Sequence, residues 1–209
     1  MNYDALVLTA DIRGFTKLLP EKREELILSI SDVLHSWVDP EFARIFRGDS
    51  IQMLFRNPKE CLNRAIQLRC WLKKSVLAED FMLDARLAFG IGKIDYYGDT
   101  VLDSDGEAFH LSGRAFDMLE PDEFMRIATS DEALNEQLNI IVRWVDIQIR
   151  DWTRGQAEVI YLLLENKTQQ EMADELGVVQ SAINNRLKLA RWKDVERTID
   201  YISSLLKHS

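Results

Sequence analysis

The stretch Ala5-Leu6-Val7-Leu8-Thr9-Ala10-Asp11-Ile12-Arg13-Gly14-Phe15-Thr16 decides the fold of the amino-terminal part of the chain. Residues 4–10 form a short apolar run, which predicts a buried strand. Asp11 ends this run and opens a tight turn. The sequence therefore predicts a carboxylate at the end of a strand, next to the glycine-containing segment that follows.

A second carboxylate lies in a similar frame. Residues 42–47 and 51–55 predict a β-hairpin that turns at Gly48-Asp49. Two carboxylates at strand ends can converge on one Mg²⁺ or Mn²⁺ and clamp the phosphates of a nucleotide. The alternatives are that Asp11 is a turn former or helix cap and that Asp49 is an ordinary turn residue.

Periodicity places the remaining elements before residue 150. Helices are predicted after Pro20, from Asn57-Pro58, over residues 105–119 and from about residue 131, where Ser130 is the expected N-cap. Alternation predicts a strand from Leu83 to Ile94, and Met125 to Ala128 predicts a short one. The order strand, helix, hairpin, helix, strand, helix, strand is the split βαβ pattern of ferredoxin-like folds. We expect an α+β domain with an antiparallel-rich sheet.

The carboxyl-terminal segment has a different, purely helical pattern. We place the boundary near Arg150–Thr153, which gives domains 1–150 and 151–209. Within the second, Thr168 and Glu171 predict a capping box, and Gly177 suits a left-handed turn. With Ala173 and Ile183 facing inward together with Gly177, the spacing resembles a helix-turn-helix.

The second helix of this motif presents side chains suited to DNA. Asparagine and glutamine can bind base edges, and basic side chains can bind phosphate. The residues expected to bind DNA are Gln180, Ser181, Asn184, Asn185, Lys188 and Arg191. The alternative is a helix-turn-helix that only packs on the first domain or on a partner.

Charge distribution separates the two predicted domains. The net charge of −9 argues against a general nucleic-acid coat. Residues 152–209 carry eight basic and eight acidic side chains, so residues 1–151 hold the whole excess. Within residues 186–197, five basic side chains face only Asp194 and Glu196, which gives a local excess of three positive charges.

Composition predicts a cytoplasmic protein without membrane contact. Hydrophobic residues make up 46% of the chain and charged residues 29%. No apolar stretch reaches the roughly 18–20 residues of a membrane helix, and no secretory signal pattern opens the chain. Cys61 and Cys70 fall in one helical pattern about 13 Å apart, so we expect reduced thiols.

Three motifs resemble the class III nucleotide cyclases. They are Asp11-Ile12-Arg13-Gly14-Phe15, the hairpin Gly48-Asp49, and the helical segment Gly106-Glu107-Ala108-Phe109-His110-Leu111-Ser112-Gly113-Arg114. The resemblance implies that Asp11, the Ile12 carbonyl and Asp49 bind the metal. It implies that Gly14, Phe15, Gly48 and Arg114 contact the nucleotide. Arg114, with His110 beside it, would be the catalytic group that stabilises charge on the phosphate.

Two positions depart from the cyclase pattern. His110 stands where the family has asparagine, and Ile45 stands where purine cyclases often have a lysine that contacts the base. An apolar side chain at position 45 cannot bind a purine oxygen. We therefore expect ordinary cyclase activity to be absent or very weak. The alternative for His110 is an ordinary buried or partner-facing histidine.

The combination of features resembles the SatD family. These small bacterial cytoplasmic proteins pair a cyclase-like domain with a helical, DNA-binding-like tail, and in them histidine at position 110 is the regular residue. The leading hypothesis is a nucleotide- or metal-responsive regulator of transcription that binds DNA. One alternative is a divergent metal-dependent cyclase or phosphoryl-transfer enzyme, for which the cyclase resemblance implies a head-to-tail homodimer. The other is a degenerate protein-interaction scaffold.

Overall fold

The computed structural model describes residues 5–78 and 80–208, and it combines one mixed sheet with helices. The strands are β1 (Ala5–Arg13), β2 (Ala43–Phe46), β3 (Ser50–Phe55), β4 (Asp84–Gly92) and β5 (Met125–Ala128). The helices are α1 (Pro20–Trp37), α2 (Pro58–Lys74), α3 (Glu107–Asp117), α4 (Glu132–Arg150), α5 (Arg154–Leu164), α6 (Gln169–Leu176), α7 (Gln180–Leu189) and α8 (Trp192–His208). The predicted α+β class is confirmed.

The sheet has the strand order β2-β3-β1-β4-β5. Pairs β2–β3, β3–β1 and β1–β4 are antiparallel, and β4–β5 is parallel. Strand β1 is therefore central, and its end lies between the hairpin and β4. This order brings Asp11 opposite Ser50 on one side and Arg86 on the other.

The two faces of the sheet are covered differently. Alternate residues of β1, such as Leu6 and Leu8, are buried in the main core, on which α1 and α2 also pack. On the other face α3 lies directly against the sheet, where the Ser112 hydroxyl donates to Thr9 Oγ1 at 2.6 Å. This contact requires glycine at position 90, because a Cβ there would overlap the Ala108 carbonyl oxygen and the Ser112 backbone.

The edge of β5 is closed by two asparagines of α4. The Asn139 amide accepts from Ile127 N and donates to Ile127 O, both at 2.8 Å. The Asn135 amide bonds Thr129 N at 2.7 Å and Thr129 O at 2.9 Å. These bonds satisfy backbone groups that a further strand would otherwise use.

The helical tail shares its core with the sheet domain. Helix α5 packs along α2, and α8 contacts both α2 and α4. The buried cluster runs from Leu6 in β1 to Leu206 in α8 without interruption at residue 150. The Lys59–Asp200 ion pair, with a nitrogen-to-oxygen distance of 2.7 Å, adds a polar contact between α2 and α8. The boundary at residue 150 stays a prediction.

Three local predictions were wrong. The N-cap of α4 is Asp131, whose side chain accepts from Leu134 N, rather than Ser130. Strand β1 runs on to Arg13, so Asp11 pairs within the sheet instead of opening the turn. Gly177 is exposed rather than inward-facing, because its φ of 63° ends α6 at the surface.

Cys61 and Cys70 are both free and buried. Burial raises the pKa of each thiol far above its ordinary value, which keeps the thiols protonated. Within residues 5–78 and 80–208, none of the helices combines the length and the hydrophobicity of a membrane span.

Candidate functional site

A cleft of about 300 Å³ lies where β1 ends beside the β2–β3 hairpin. Pairing between strands fixes the walls of the cleft. Asp11 lies opposite Ser50 of β3 and Arg86 of β4, and Ile12 N donates a hydrogen bond to Asp49 O at 3.0 Å. The cleft is lined by Asp11, Ile12, Arg13, Gly14, Thr16, Asp49, Arg86 and Pro121. The three predicted metal-binding residues thus line one opening.

The two aspartates repel each other. Partial burial is the main cause that raises the pKa of Asp11 above its ordinary value, and the Asp49 carboxylate raises that pKa further. Attraction to the positively charged Arg86 lowers the pKa of Asp11. Neither carboxylate accepts a hydrogen bond from the described part of the chain. A cation that binds between them would relieve this repulsion.

Arg86 is a site residue that the sequence did not single out. Its Nη2 donates to Leu119 O at 2.8 Å, and its guanidinium lies 5.7 Å from the Phe116 ring centroid. Its Nε is buried and has no acceptor among the described residues. The alternation of β4 already placed Arg86 on the face opposite to Leu87, but only the strand pairing with β1 brings it to Asp11.

Two glycines hold the backbone around the cleft. Gly14 has a φ of 92°, and a Cβ there would come within 2.8 Å of the Phe81 ring. Gly48 has a φ of 88° in the hairpin turn, where the Phe15 ring lies against it. Both positions need the left-handed conformation that glycine adopts at little cost. Gly14 lines the cleft, whereas Phe15 and Gly48 are not among its lining residues.

The oxygen donors that line the cleft are of the types that bind a divalent ion together with phosphate. Mg²⁺ keeps several water ligands and is often bound through one or two carboxylates and substrate phosphate oxygens. Asp11, Asp49 and the Ile12 carbonyl match this limited donor set. No group of three or more acidic, histidine or cysteine side chains within the described ranges forms a site from protein ligands alone.

The predicted catalytic residues lie elsewhere. Arg114 is exposed on α3, donates from Nε to His110 O at 3.2 Å, and does not line the cleft. His110 Nε2 lies 3.4 Å from Asp105 Oδ1 in an exposed pair. Ile45 is paired with Ile51 in the hairpin. Arg114 is therefore not among the residues that line the cleft of the two aspartates.

The six residues predicted to bind DNA lie together on the surface of the tail. All are exposed along α7 or just after it: Gln180, Ser181, Asn184, Asn185, Lys188 and Arg191. Helix α7 packs against α5, α6 and α8, and Ile183 is fully buried. The capping box of Thr168 and Glu171 begins α6. Val178 N donates to Ala173 O at 3.0 Å across the turn.

One member of the local basic cluster faces inward. Arg186 Nη1 lies 3.4 Å from Glu158 Oε2 and 3.5 Å from Gly155 O, both in α5. This pair fixes α7 against α5. The positive charge available to a ligand therefore comes from the side chains beyond Arg186, chiefly Lys188 and Arg191.

A buried charge network was missed by the sequence analysis. Arg69 of α2 is fully buried, with Nε 2.7 Å from Asp84 Oδ1 and Nη1 2.7 Å from Asp146 Oδ1. Its guanidinium stacks 5.3 Å from the Phe124 ring centroid, and Arg13 of the cleft stacks on the same ring at 4.7 Å. The sequence signal for this network was an arginine within the apolar face of α2, because a buried arginine needs acidic partners.

The chain matches none of the protein-family models against which it was scanned, and no curated protein matches it significantly.

Proposed function

We propose that this protein is a regulator that binds DNA through α6 and α7 and binds a nucleotide with Mg²⁺ or Mn²⁺ in the Asp11–Asp49 cleft. The observation that carries the proposal is the exposure of α7. All six candidate DNA-binding side chains are exposed, and the packing contacts of α7 are with α5, α6 and α8 of the tail. A motif kept solely for packing would have its second helix covered.

The geometry of the tail supports a helix-turn-helix. Gly177 takes the left-handed turn between α6 and α7, while Ala173 and Ile183 are buried between the helices. The side chains at positions 180, 181, 184 and 185 then lie at the amino-terminal end of α7. In this motif, that end of the second helix contacts base edges in the major groove.

The sheet supports a ferredoxin-like, cyclase-related front domain. The strand order β4-β1-β3-β2 with antiparallel neighbours is the one expected of the split βαβ unit, and β5 is an addition at its edge. The metal-binding positions of the cyclase resemblance line one cleft. We propose on this basis, together with the tail, that the chain is related to the SatD family.

Helix α2 offers a route from the cleft to the tail. Arg13 lines the cleft and stacks on Phe124, and Phe124 also contacts Arg69 of α2. Helix α2 in turn packs on α5. A ligand would regulate DNA binding through this route if it bound two arrangements of these groups with different affinity.

The DNA proposal is tested by selection from random duplexes at low salt, followed by titrations at several salt concentrations. The Lys188→Ala or Arg191→Ala variant should weaken binding to all sequences and reduce the salt slope by about one for each phosphate interaction removed. Asn185→Ala should instead relax the sequence preference. Lys93→Ala is the control, because it removes an exposed positive charge that lies outside the tail.

Two results would contradict the proposal that the protein binds DNA through α6 and α7. If the protein selects no sequence at low salt, or if Lys93→Ala weakens binding as much as Lys188→Ala, the scaffold hypothesis replaces the regulator. A dimer on DNA would require half-sites about one helical turn apart, near 34 Å, which footprinting of the selected sequences would measure.

The nucleotide proposal is tested by calorimetric titration with a panel of nucleoside triphosphates, with and without Mn²⁺. Binding should require Mn²⁺ and should be lost in Asp49→Asn. A ligand at 100 times its dissociation constant would also stabilise the fold by about 2.7 kcal/mol. Asp32→Asn, which removes a carboxylate from α1 outside the cleft, is the matched control. Equal binding by wild type and Asp49→Asn would contradict the cleft assignment.

A divergent cyclase or phosphoryl-transfer enzyme is the second candidate, favoured because Asp11 and Asp49 line one cleft. Because Arg114 lies outside the cleft of its own protomer, catalysis would require Arg114 from a second copy in a head-to-tail homodimer. Loss of one preorganised donor costs about 10²–10³ in rate, so we expect little cyclase activity with His110 and Ile45 in place. Robust production of a cyclic nucleotide, abolished by Asp11→Ala, would favour the enzyme.

A further inference from the structure

A larger cavity of about 560 Å³ lies in the tail, at the corner between α7 and α8. The corner forms because α7 ends at Leu189 and Arg191 takes a left-handed φ of 53° before α8 begins. Its walls come from α5, the start of α6, α7 and α8. This cavity is separate from the Asp11–Asp49 cleft.

The floor of the cavity is apolar. It is formed by Leu163, Leu187 and Trp192, and Trp192 is 5% exposed. The Trp192 ring lies 6.3 Å from the ring of Trp152, whose Nε1 donates to Ala190 O at 2.9 Å. Trp192 Nε1, in contrast, is buried without an acceptor in the described ranges.

The rim of the cavity carries charges of both signs, with a small positive excess. Lys188, Arg191 and Lys193 line it and are exposed, and none of the three forms an ion pair within the described part of the chain. Asp194 and Glu196 also line it, and Glu196 lies close enough to Lys59 to raise the pKa of that lysine. The rim thus has one more positive than negative charge.

We propose that this cavity binds a small amphipathic anion, in which a flat apolar body carries a carboxylate, sulfonate or phosphate group. The apolar body would rest on Leu163, Leu187 and Trp192. The anionic group would lie at the rim between Lys188 and Arg191. Binding pockets commonly combine a mostly apolar lining with a few polar groups that fix orientation.

The location of the cavity suggests what such a ligand does. Asn184, Lys188 and Arg191 belong to both the cavity and the predicted DNA-binding surface. A bound anion would neutralise charges that phosphate needs, so ligand and DNA would compete. This consequence rests on the proposed DNA-binding function, whereas the site itself does not.

The site is tested on the full chain without DNA, with anilinonaphthalene sulfonate as the probe and its fluorescence as the readout. Wild type should bind the probe at one saturable site. Lys188→Glu/Arg191→Glu should weaken this binding by about tenfold or more, because two partly exposed attractions become repulsions. Phenylnaphthylamine, which has the same rings without the sulfonate, should bind both proteins similarly.

The matched control is Arg56→Glu/Lys93→Glu, which changes the net charge equally at two other exposed positions. This variant should bind the sulfonate like wild type. Equal weakening in both double variants, or full retention of sulfonate binding by Lys188→Glu/Arg191→Glu, would overturn the proposal. Because no DNA is present, failure of the DNA proposal would leave this result unaffected.

Discussion

Two pairs of aspartates that each lie near an arginine have opposite environments. Asp84 and Asp146 enclose Arg69 in the core, and the Asp146 carboxylate also accepts from Phe124 N at 2.9 Å. Asp11 and Asp49 face a cleft and accept no hydrogen bond from the described residues, although Arg86 is near. The first pair is satisfied by the fold, and the second is left with capacity for a ligand.

The pKa directions express the same contrast. Burial alone would raise the pKa of Asp84, but attraction to Arg69 and Lys73 and the bond from Ala85 N together lower it. Burial and repulsion from Asp49 raise the pKa of Asp11. Attraction to Arg86 lowers it by less, so the net shift is upward. A carboxylate whose charge is balanced by cations and hydrogen-bond donors of the protein therefore has a structural role. One that lacks such partners is a candidate for ligand binding.

The largest expected effect separates the two arginines. Arg69→Met removes the buried cation that Asp84 and Asp146 share and should lower the free energy of unfolding by about 3–5 kcal/mol. Arg86→Met removes a partly exposed cation and should cost about 1 kcal/mol. Urea unfolding of both variants measures the difference. Similar losses would break the comparison, and Arg69→Lys, which retains the charge, provides a second variant if Arg69→Met does not fold.

A smaller effect is expected at Asp84. Asp84→Asn weakens charge-assisted bonds and should cost about 1.5–3 kcal/mol near neutral pH. Because the folded-state pKa of Asp84 is lowered, its contribution is complete above the unfolded value of about 4 and is lost as pH falls through the folded value. The variant should therefore lose less stability than wild type on acidification. Unfolding curves down to about pH 3 test this, and an unchanged acid dependence would contradict it.

The smallest effect, of opposite sign, is expected at Asp11. A raised folded-state pKa means that the ionised carboxylate opposes folding at neutral pH. Asp11→Asn should therefore stabilise the protein by about 0.3 kcal/mol, a small amount because solvent screens this half-buried group. The gain should disappear as pH falls below the unfolded pKa of Asp11. Destabilisation by Asp11→Asn at neutral pH would show that the carboxylate is satisfied internally.

Sequence patterns predicted most of the elements because alternation and helical spacing are local. The strands, the hairpin at Gly48 and the capping box at Thr168 all follow from neighbouring residues. The alignment of Arg86 with Asp11 depends on pairing between strands 75 residues apart in the chain, which no local pattern encodes. The Arg69 network likewise joins α2, β4 and α4, and the tail cavity requires the left-handed turn at Arg191.

The asparagine caps on β5 have a consequence for self-association. A free strand edge is a template on which another chain can add a strand, as in amyloid growth. Asn139 occupies both backbone groups of Ile127, and Asn135 does the same at Thr129. The four-residue β2 forms the opposite edge and offers little length for pairing. The sheet is therefore protected against edge-to-edge aggregation at high concentration by two amide side chains on one helix.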